Sequence, residues 1–347
     1  MVHGAYSGDF LAHKRTIGDD VVQSFVTGML SNEDSQKNFY RWLGQVHTNA
    51  ELDSLPDEFA GADFIHSNQT LPVWADEERM LKGSAFFIRH SDAIMSLLGL
   101  LSLPYCYAAA DGAMVLYLTE RLRARPAKRL SDTAGFIWDV MAPNAFMTDG
   151  KGFASCLKIR LTHAIARYYV SKNAAWDATL GTPVNQEDMA GTNLAFSLIV
   201  VRGLRKLGVS VSYEEQQSFM HLWNVIGYLL GLDEDLIPQD GKSATLLEVA
   251  IRQRHFKSSL QGRALTKALL EHITNELPGP LSSKDVYEIM RFLLGDDVAE
   301  LLEIPNGSGG NYAPAILKLT ARMPHFDSGN IRLDYRERYA AFLKPRT

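Results

Sequence analysis

Two stretches of this sequence have almost no polar face. From Met189 to Val201 the chain reads Met-Ala-Gly-Thr-Asn-Leu-Ala-Phe-Ser-Leu-Ile-Val-Val, and from Phe219 to Gly231 it reads Phe-Met-His-Leu-Trp-Asn-Val-Ile-Gly-Tyr-Leu-Leu-Gly. Neither alternates as a half-buried strand would; wound at 3.6 residues per turn, each is apolar all round. Such a helix needs neighbours on every side, so the chain must build a thick helical body around it. The 189–201 run is shorter than the ~20 residues a membrane-spanning helix needs and is broken by Gly191, Thr192, Asn193 and Ser197. It is expected to be a buried helix, with no membrane span.

The remaining pattern agrees. Helical spacing predicts helices over 20–30, 34–47, 77–98, 108–124, 131–141, 153–170, 187–207, 213–232, 246–275, 283–295 and 313–323, and no alternating run demands a strand. Ser212 with Glu215 is a capping box, and Ser283 before Asp285 is a similar, weaker start. Gly208 and Gly231 fall where helices should stop. Pro278-Gly-Pro280 and the glycine-rich stretch 306–310 read as linkers. The expected architecture is all-α: one large irregular helical domain over 1–347, with 53–76 as a covering loop and 278–347 as a C-terminal helical extension.

Composition supports a core of that size and removes several functions. Of 347 residues 46% are hydrophobic, whereas 35 basic against 40 acidic side chains leave a net charge of −5, with no basic run to displace phosphate counterions; nucleic acid is excluded as a partner. Cys106 and Cys156 cannot form a disulfide framework and neither lies in a C-x-x-C pair, which fits a reducing compartment. His3, Asp9 and Lys14 interrupt the apolar stretch that a signal peptide would need, so the expected location is cytoplasmic.

Few residues suggest chemistry. In Lys158-Ile-Arg-Leu-Thr-His-Ala-Ile-Ala-Arg167, Arg160, His163 and Arg167 project from one helix edge. A neutral imidazole there can ligate a metal while the guanidinium groups hold carboxylate or propionate oxygens; equally, the histidine can be satisfied by a backbone carbonyl and the arginines by ion pairs. Thr192, Asn193 and Ser197 need buried partners, which either a cofactor or neighbouring helices can provide. His221 is a second candidate ligand, with Asn224 on its face. There is no His-Glu-x-x-His, phosphate loop, dinucleotide fingerprint or nucleophile elbow. A non-haem metal site using His163 and Asp188 would require their two helices to cross.

Several blocks, taken together, resemble the latex clearing protein and MpaB-type haem oxygenase family. They are Leu71-Pro-Val-Trp-Ala-Asp76, Ser102-Leu-Pro-Tyr-Cys-Tyr107, Asp132-Thr-Ala-Gly-Phe136, Lys158 to Ala164, Trp176-Asp177, Pro183-Val-Asn-Gln-Glu-Asp-Met189, Thr192 with Phe196-Ser197, and Trp223 to Gly227 followed by Leu236-Ile-Pro238. The resemblance covers about the central half of the chain and implies an oxygenase-like core over 71–238, with buried central helices enclosing a haem pocket. It implies a b-type haem bound non-covalently, consistent with the missing C-x-x-C-H, and an oxygenase using O2 or peroxide on a small hydrophobic substrate.

The family places an arginine three residues before a histidine or lysine on the helix facing the haem, matched here by Arg160 and His163. The resemblance therefore implies His163 as iron ligand with His221 as second choice, and Arg160, Arg167, Trp223 and Phe196 as further cofactor contacts. Arg160, Thr162 and Thr192 are the implied catalytic residues, with Gln186 and Asp188 as distal or supporting groups. One departure stands out: the family's usual proximal histidine lies in a segment resembling 188–196, which here contains none. Rubber-cleaving members are secreted and keep a lysine and that histidine, so polyisoprene itself is not the expected substrate. The alternative expectation is a haem-free helical ligand-binding or interaction protein derived from this family.

Overall fold

The computed structural model describes residues 6–119, 126–275, 281–307, 313–320 and 329–344, and its described elements are helical, with a single isolated bridge between Ala109 and Phe256. In chain order the α-helices are α1 (Gly8–Lys14), α2 (Asp20–Leu30), α3 (Glu33–Gln45), α4 (Asp63–Ser67), α5 (Glu77–Arg89), α6 (Ser91–Leu97), α7 (Leu103–Ala108), α8 (Ala110–Leu118), α9 (Pro126–Val140) and α10 (Gly152–Ser171). They continue as α11 (Gln186–Phe196), α12 (Leu198–Lys206), α13 (Tyr213–Leu229), α14 (Gly241–His255), α15 (Leu260–Asn275), α16 (Ser283–Leu294), α17 (Asp296–Leu301), α18 (Ala313–Thr320) and α19 (Ile331–Leu343).

The helix apolar all round, α13, is at the centre. Its start is the expected capping box at Ser212 and Glu215, and Gly231, at φ 88°, ends the turn beyond it. It lies most closely on α5, where Gly83 is the point of closest approach: a Cβ there would stand 2.6 Å from the carbonyl oxygen of Ser218. Phe86, Phe87, Phe219, Leu222 and Val225 fill the seam. Each such side chain contributes roughly 1.5–3 kcal/mol on full burial.

Several predicted helices prove to be two. The 187–207 run breaks at Ser197, whose hydroxyl and amide both bond to the Asn193 carbonyl, so the backbone leaves the helical well (φ −110°, ψ −83°) and α12 starts in a new direction. The 77–98 run bends at His90, and 246–275 divides at 256–259. Between α6 and α7 lies a π-helical turn, Leu98–Ser102. Pro104 follows directly; its ring and missing N–H disrupt an α-helical turn and are accommodated by this wider one. The predicted start at Ser283 is one residue late, since Ser282 accepts the Asp285 amide as N-cap. Positions 278–280, 308–310, 120–124 and 321–323 of the predicted linkers and helix ends lie outside the described residues.

The 53–76 segment is more ordered than a loop. It holds short 3-10 turns and α4 because Phe59, Phe64 and Ile65 are buried, with Phe59 and Phe64 meeting the Phe25 ring at 6.0 and 5.2 Å between centroids. Residues 6–76 thus cover one side of the body, and α19 covers another through Tyr335, Tyr339 and Phe342 around Trp138. Among the described residues no single helix is long and apolar enough to cross a membrane. The stretches Glu77–Arg89 and Ser91–Ala108 pass that test only as a pair bent by 82°, and most of their large apolar residues, though not the exposed Leu81, are packed in the core.

Candidate functional site

Helix α10 carries the three residues that the sequence places on one edge, and the structure gives them different tasks. The Arg160 guanidinium forms a bidentate pair with Asp19, Nε to Oδ2 at 2.6 Å and Nη2 to Oδ1 at 3.1 Å, and its Nη1 donates to Asn68 Oδ1 at 3.0 Å. Arg167 is buried and donates to the carbonyls of Pro183 and Val184 and to Gln23 Oε1. Val184 has φ 53°, a strained conformation for a β-branched residue. Arg167 therefore clamps the strained turn that leads into α11. The expectation that these two arginines hold propionates is corrected: their donors are engaged in joining the N-terminal cover and the 183–185 turn to α10.

His163 stands between them unengaged. The ring is half-buried, its Nδ1 fully so, and neither nitrogen has a hydrogen-bond partner among the described residues. Burial, then the Arg167 and Arg129 charges, lower its pKa to about 4 against the weaker opposing effect of Asp19. At neutral pH it is an uncharged imidazole with a free lone pair. This is the protonation state a metal ligand requires.

The sequence reasoning missed Arg129. It projects from α9, is half-buried, and has no carboxylate partner among the described residues; burial depresses its pKa while Tyr107 and Cys106 beside it oppose that shift. A desolvated cation without a counter-ion is costly unless an anion completes the site. Burial raises both Tyr107 and the Cys106 thiol to about 12. The Thr192 hydroxyl bonds to that thiol and donates to the Asp188 carbonyl one turn earlier. A narrow crevice with about 10 Å³ of free space runs from Arg129 between Tyr107, Leu103, Leu130 and Leu269. The crevice is lined by α7, α9 and α15, and the unengaged His163 imidazole on α10 lies near enough to Arg129 to feel its charge. Nothing local in the sequence marks Arg129, because its isolation arises only when α7 packs beside α9.

The other predicted residues separate clearly. Phe196 and Trp223 meet at 5.6 Å between ring centroids, and the buried Trp223 indole N–H has no partner. Thr162 and Thr192 are both exposed, and each hydroxyl bonds back to the carbonyl one turn earlier, of Lys158 and Asp188. His221 is corrected as a ligand too: its Nε2 accepts the Asp76 backbone amide at 2.9 Å, which takes up the one lone pair of the neutral ring. Gln186 donates to the Gly18 and Gly231 carbonyls and accepts the Asp233 amide. Asp188 binds Arg15 at 2.9 Å and Asn185 at 2.8 Å. Both are structural.

A second missed feature is the charge network beneath α11. Fully buried Glu187 lies 2.6 Å from Arg254 and 2.9 Å from His255 Nε2, while Asp111 faces Lys257 at 2.8 Å and Arg15 lies near both carboxylates. The His255 contacts are close but poorly aligned, and they act as ion pairs more than as hydrogen bonds. Burial lowers the His255 pKa, but Asp111 and Glu187 outweigh it and the net shift is upward. Among the described residues no cluster of three or more histidine, cysteine or carboxylate side chains could hold a metal ion unaided.

Comparison with known proteins places this geometry. Residues 89–323 match the family described as ER-bound oxygenase mpaB/B'/Rubber oxygenase, catalytic domain. The chain is 25% identical over 243 residues to a rubber oxygenase of Streptomyces sp. (strain K30), a match covering 69% of this chain and 59% of that relative. Its fold is similar to a solved latex clearing protein in the closed state, with a TM-score of 0.79 and 20% identity over 96% of this chain and 93% of the other.

Proposed function

The chain belongs to the mpaB/rubber oxygenase catalytic-domain family, and from that premise we propose that it is a haem b-dependent oxygenase acting on a hydrophobic organic substrate with O2 or peroxide. The observation that supports the cofactor is His163, a neutral imidazole whose buried Nδ1 has no partner, within reach of the charge of Arg129, a guanidinium with no carboxylate partner among the described residues. Haem b needs an imidazole ligand, a cation for its propionates and apolar walls; His163 would supply the first, Arg129 the second, and Leu103, Leu130 and Leu269 apolar surface beside Arg129. When bound, haem b supplies the oxygen-activating chemistry.

The protein's part in that reading is positional. His163 would hold the haem iron, kept deprotonated by burial and by the positive charges of Arg167 and Arg129. Arg129 would hold a propionate, the role first expected of Arg160 and Arg167. Those two instead fix the helix on which His163 rides, through Asp19 and the 183–185 turn. Tyr107 lines the crevice beside Arg129, Phe196 and Trp223 pack on each other, and Thr192 is tied to Cys106 and the Asp188 carbonyl. Cys106 and Cys156 are both unpaired, which is compatible with the cytoplasmic setting we assign.

The reading is tested by expression with haem supplementation and a pyridine haemochrome assay of the pure protein. About one haem per chain supports it. Colourless protein that takes up no added hemin contradicts it.

A further inference from the structure

A second cavity shares no lining residue with the slot. Trp74, the start of α5, the first half of α13 and the turn at 237–239 surround about 80 Å³ of free space. Three hydrogen-bond donors on its wall have no acceptor. The Gln217 side chain is 9% exposed, and its Nε2 is buried without a partner. His221 accepts the Asp76 amide at Nε2, so the neutral ring carries its proton on Nδ1, which has no partner among the described residues. The half-buried Arg79 guanidinium makes no ion pair among the described residues. Of the acceptors nearby, Asp76 Oδ1 caps α5 by accepting the Arg79 amide at 3.1 Å, Glu234 Oε2 accepts from the Trp74 indole at 3.1 Å, and the Pro238 carbonyl accepts from Asn224 at 2.7 Å. Trp74, Met220 and Ile237 supply an apolar wall beside these donors.

We propose that this cavity is a binding site for a short aliphatic carboxylate, its head on Arg79, Gln217 and His221 and its hydrocarbon part against Trp74, Met220 and Ile237. Buried donors are expected to be satisfied, and a guanidinium fork with an amide and an imidazole N–H suits a carboxylate. The site is independent of the oxygenase slot, so it stands whether or not the protein holds haem.

The test is an NMR titration of the His221 ring in the full chain, with butyrate as probe and butyramide as its neutral counterpart. Burial and Arg79 now hold His221 below its ordinary pKa, with Asp76 opposing. A carboxylate bound between Arg79 and the ring removes part of that repulsion, so saturating butyrate is expected to raise the His221 midpoint by about one unit, equivalent to about tenfold tighter binding to the charged ring. Butyramide should leave the midpoint in place, and Arg79→Ala and Gln217→Leu, each checked for an unchanged far-UV spectrum, should abolish the butyrate response. An unmoved midpoint, an equal effect of butyramide, or an undiminished response in both variants overturns the proposal. Phosphate acting as strongly as butyrate overturns the aliphatic assignment.

Discussion

Arg160 and Asp19 form a two-pronged ion pair, at 2.6 and 3.1 Å, between α10 and the residue that precedes α2. Both partners are largely buried, with side-chain exposures of 17% and 7%. The pair holds the N-terminal cover against the helix that carries His163. The arginine that sequence pattern offers as a cofactor contact is therefore a fastener.

Removing one partner should leave the other as an uncompensated buried charge. Asp19→Asn is expected to destabilise the protein by about 3 kcal/mol in urea unfolding. A change below about 0.5 kcal/mol would match an exposed surface pair and contradict the fastener role.

His163 gives stability a pH dependence of known sign. Its folded pKa, about 4, is below the ordinary 6.5, so below pH 6.5 the unfolded chain binds a proton that the folded chain refuses. The associated stability is complete above pH 6.5 and is lost as pH falls from 6.5 towards 4, by up to about 3 kcal/mol. Unfolding of wild type and His163→Phe across that range should differ in slope, the variant lacking this loss; parallel slopes would contradict the burial of a neutral ring.

His255 should act with the opposite sign. Asp111 and Glu187 raise its pKa, so the stability it contributes is present below pH 6.5 and disappears as pH rises through the higher folded value. His255→Gln should flatten the stability curve above pH 6.5 and leave the acid side to His163. A proton resonance of His255 that titrates below 6.5 would refute the assignment.

Arg129 separates a structural from a binding role. Replacing an unpaired, desolvated guanidinium with a similar apolar volume relieves a burial cost, so Arg129→Met is expected to stabilise the haem-free protein by about 1–3 kcal/mol. Hemin titration of the same variant should show weaker uptake than wild type. If both stability and uptake are unchanged, Arg129 has no part in the slot.

Much of the fold was legible because its signals are local. The all-apolar face of 219–231 requires a central helix whatever surrounds it, and Ser212 with Glu215 fixes where that helix begins. Breaks were harder: Ser197 and His90 interrupt runs whose periodicity continues unbroken, since the departure is set by a hydroxyl bond to Asn193 in one case and by packing across α5 and α6 in the other. The slot was half legible. His163 was visible in the pattern of α10, and Phe196 with Trp223 in their apolar helices. The partners of Arg160, Arg167 and His221 lie 141, 16 and 145 residues away in sequence, so only the folded chain reveals that the two arginines are engaged and that the second histidine has no lone pair to give. Arg129 carried no signal at all, because being unpaired is a property of its surroundings.

The central proposal is that this chain takes up haem and that His163 would hold its iron. It is tested most directly by the visible spectrum of protein reconstituted with hemin, recorded for wild type, His163→Ala and His221→Ala. The account predicts a Soret band in wild type that is retained in His221→Ala and is lost or strongly shifted in His163→Ala. A band unchanged in His163→Ala, or lost only in His221→Ala, would contradict it.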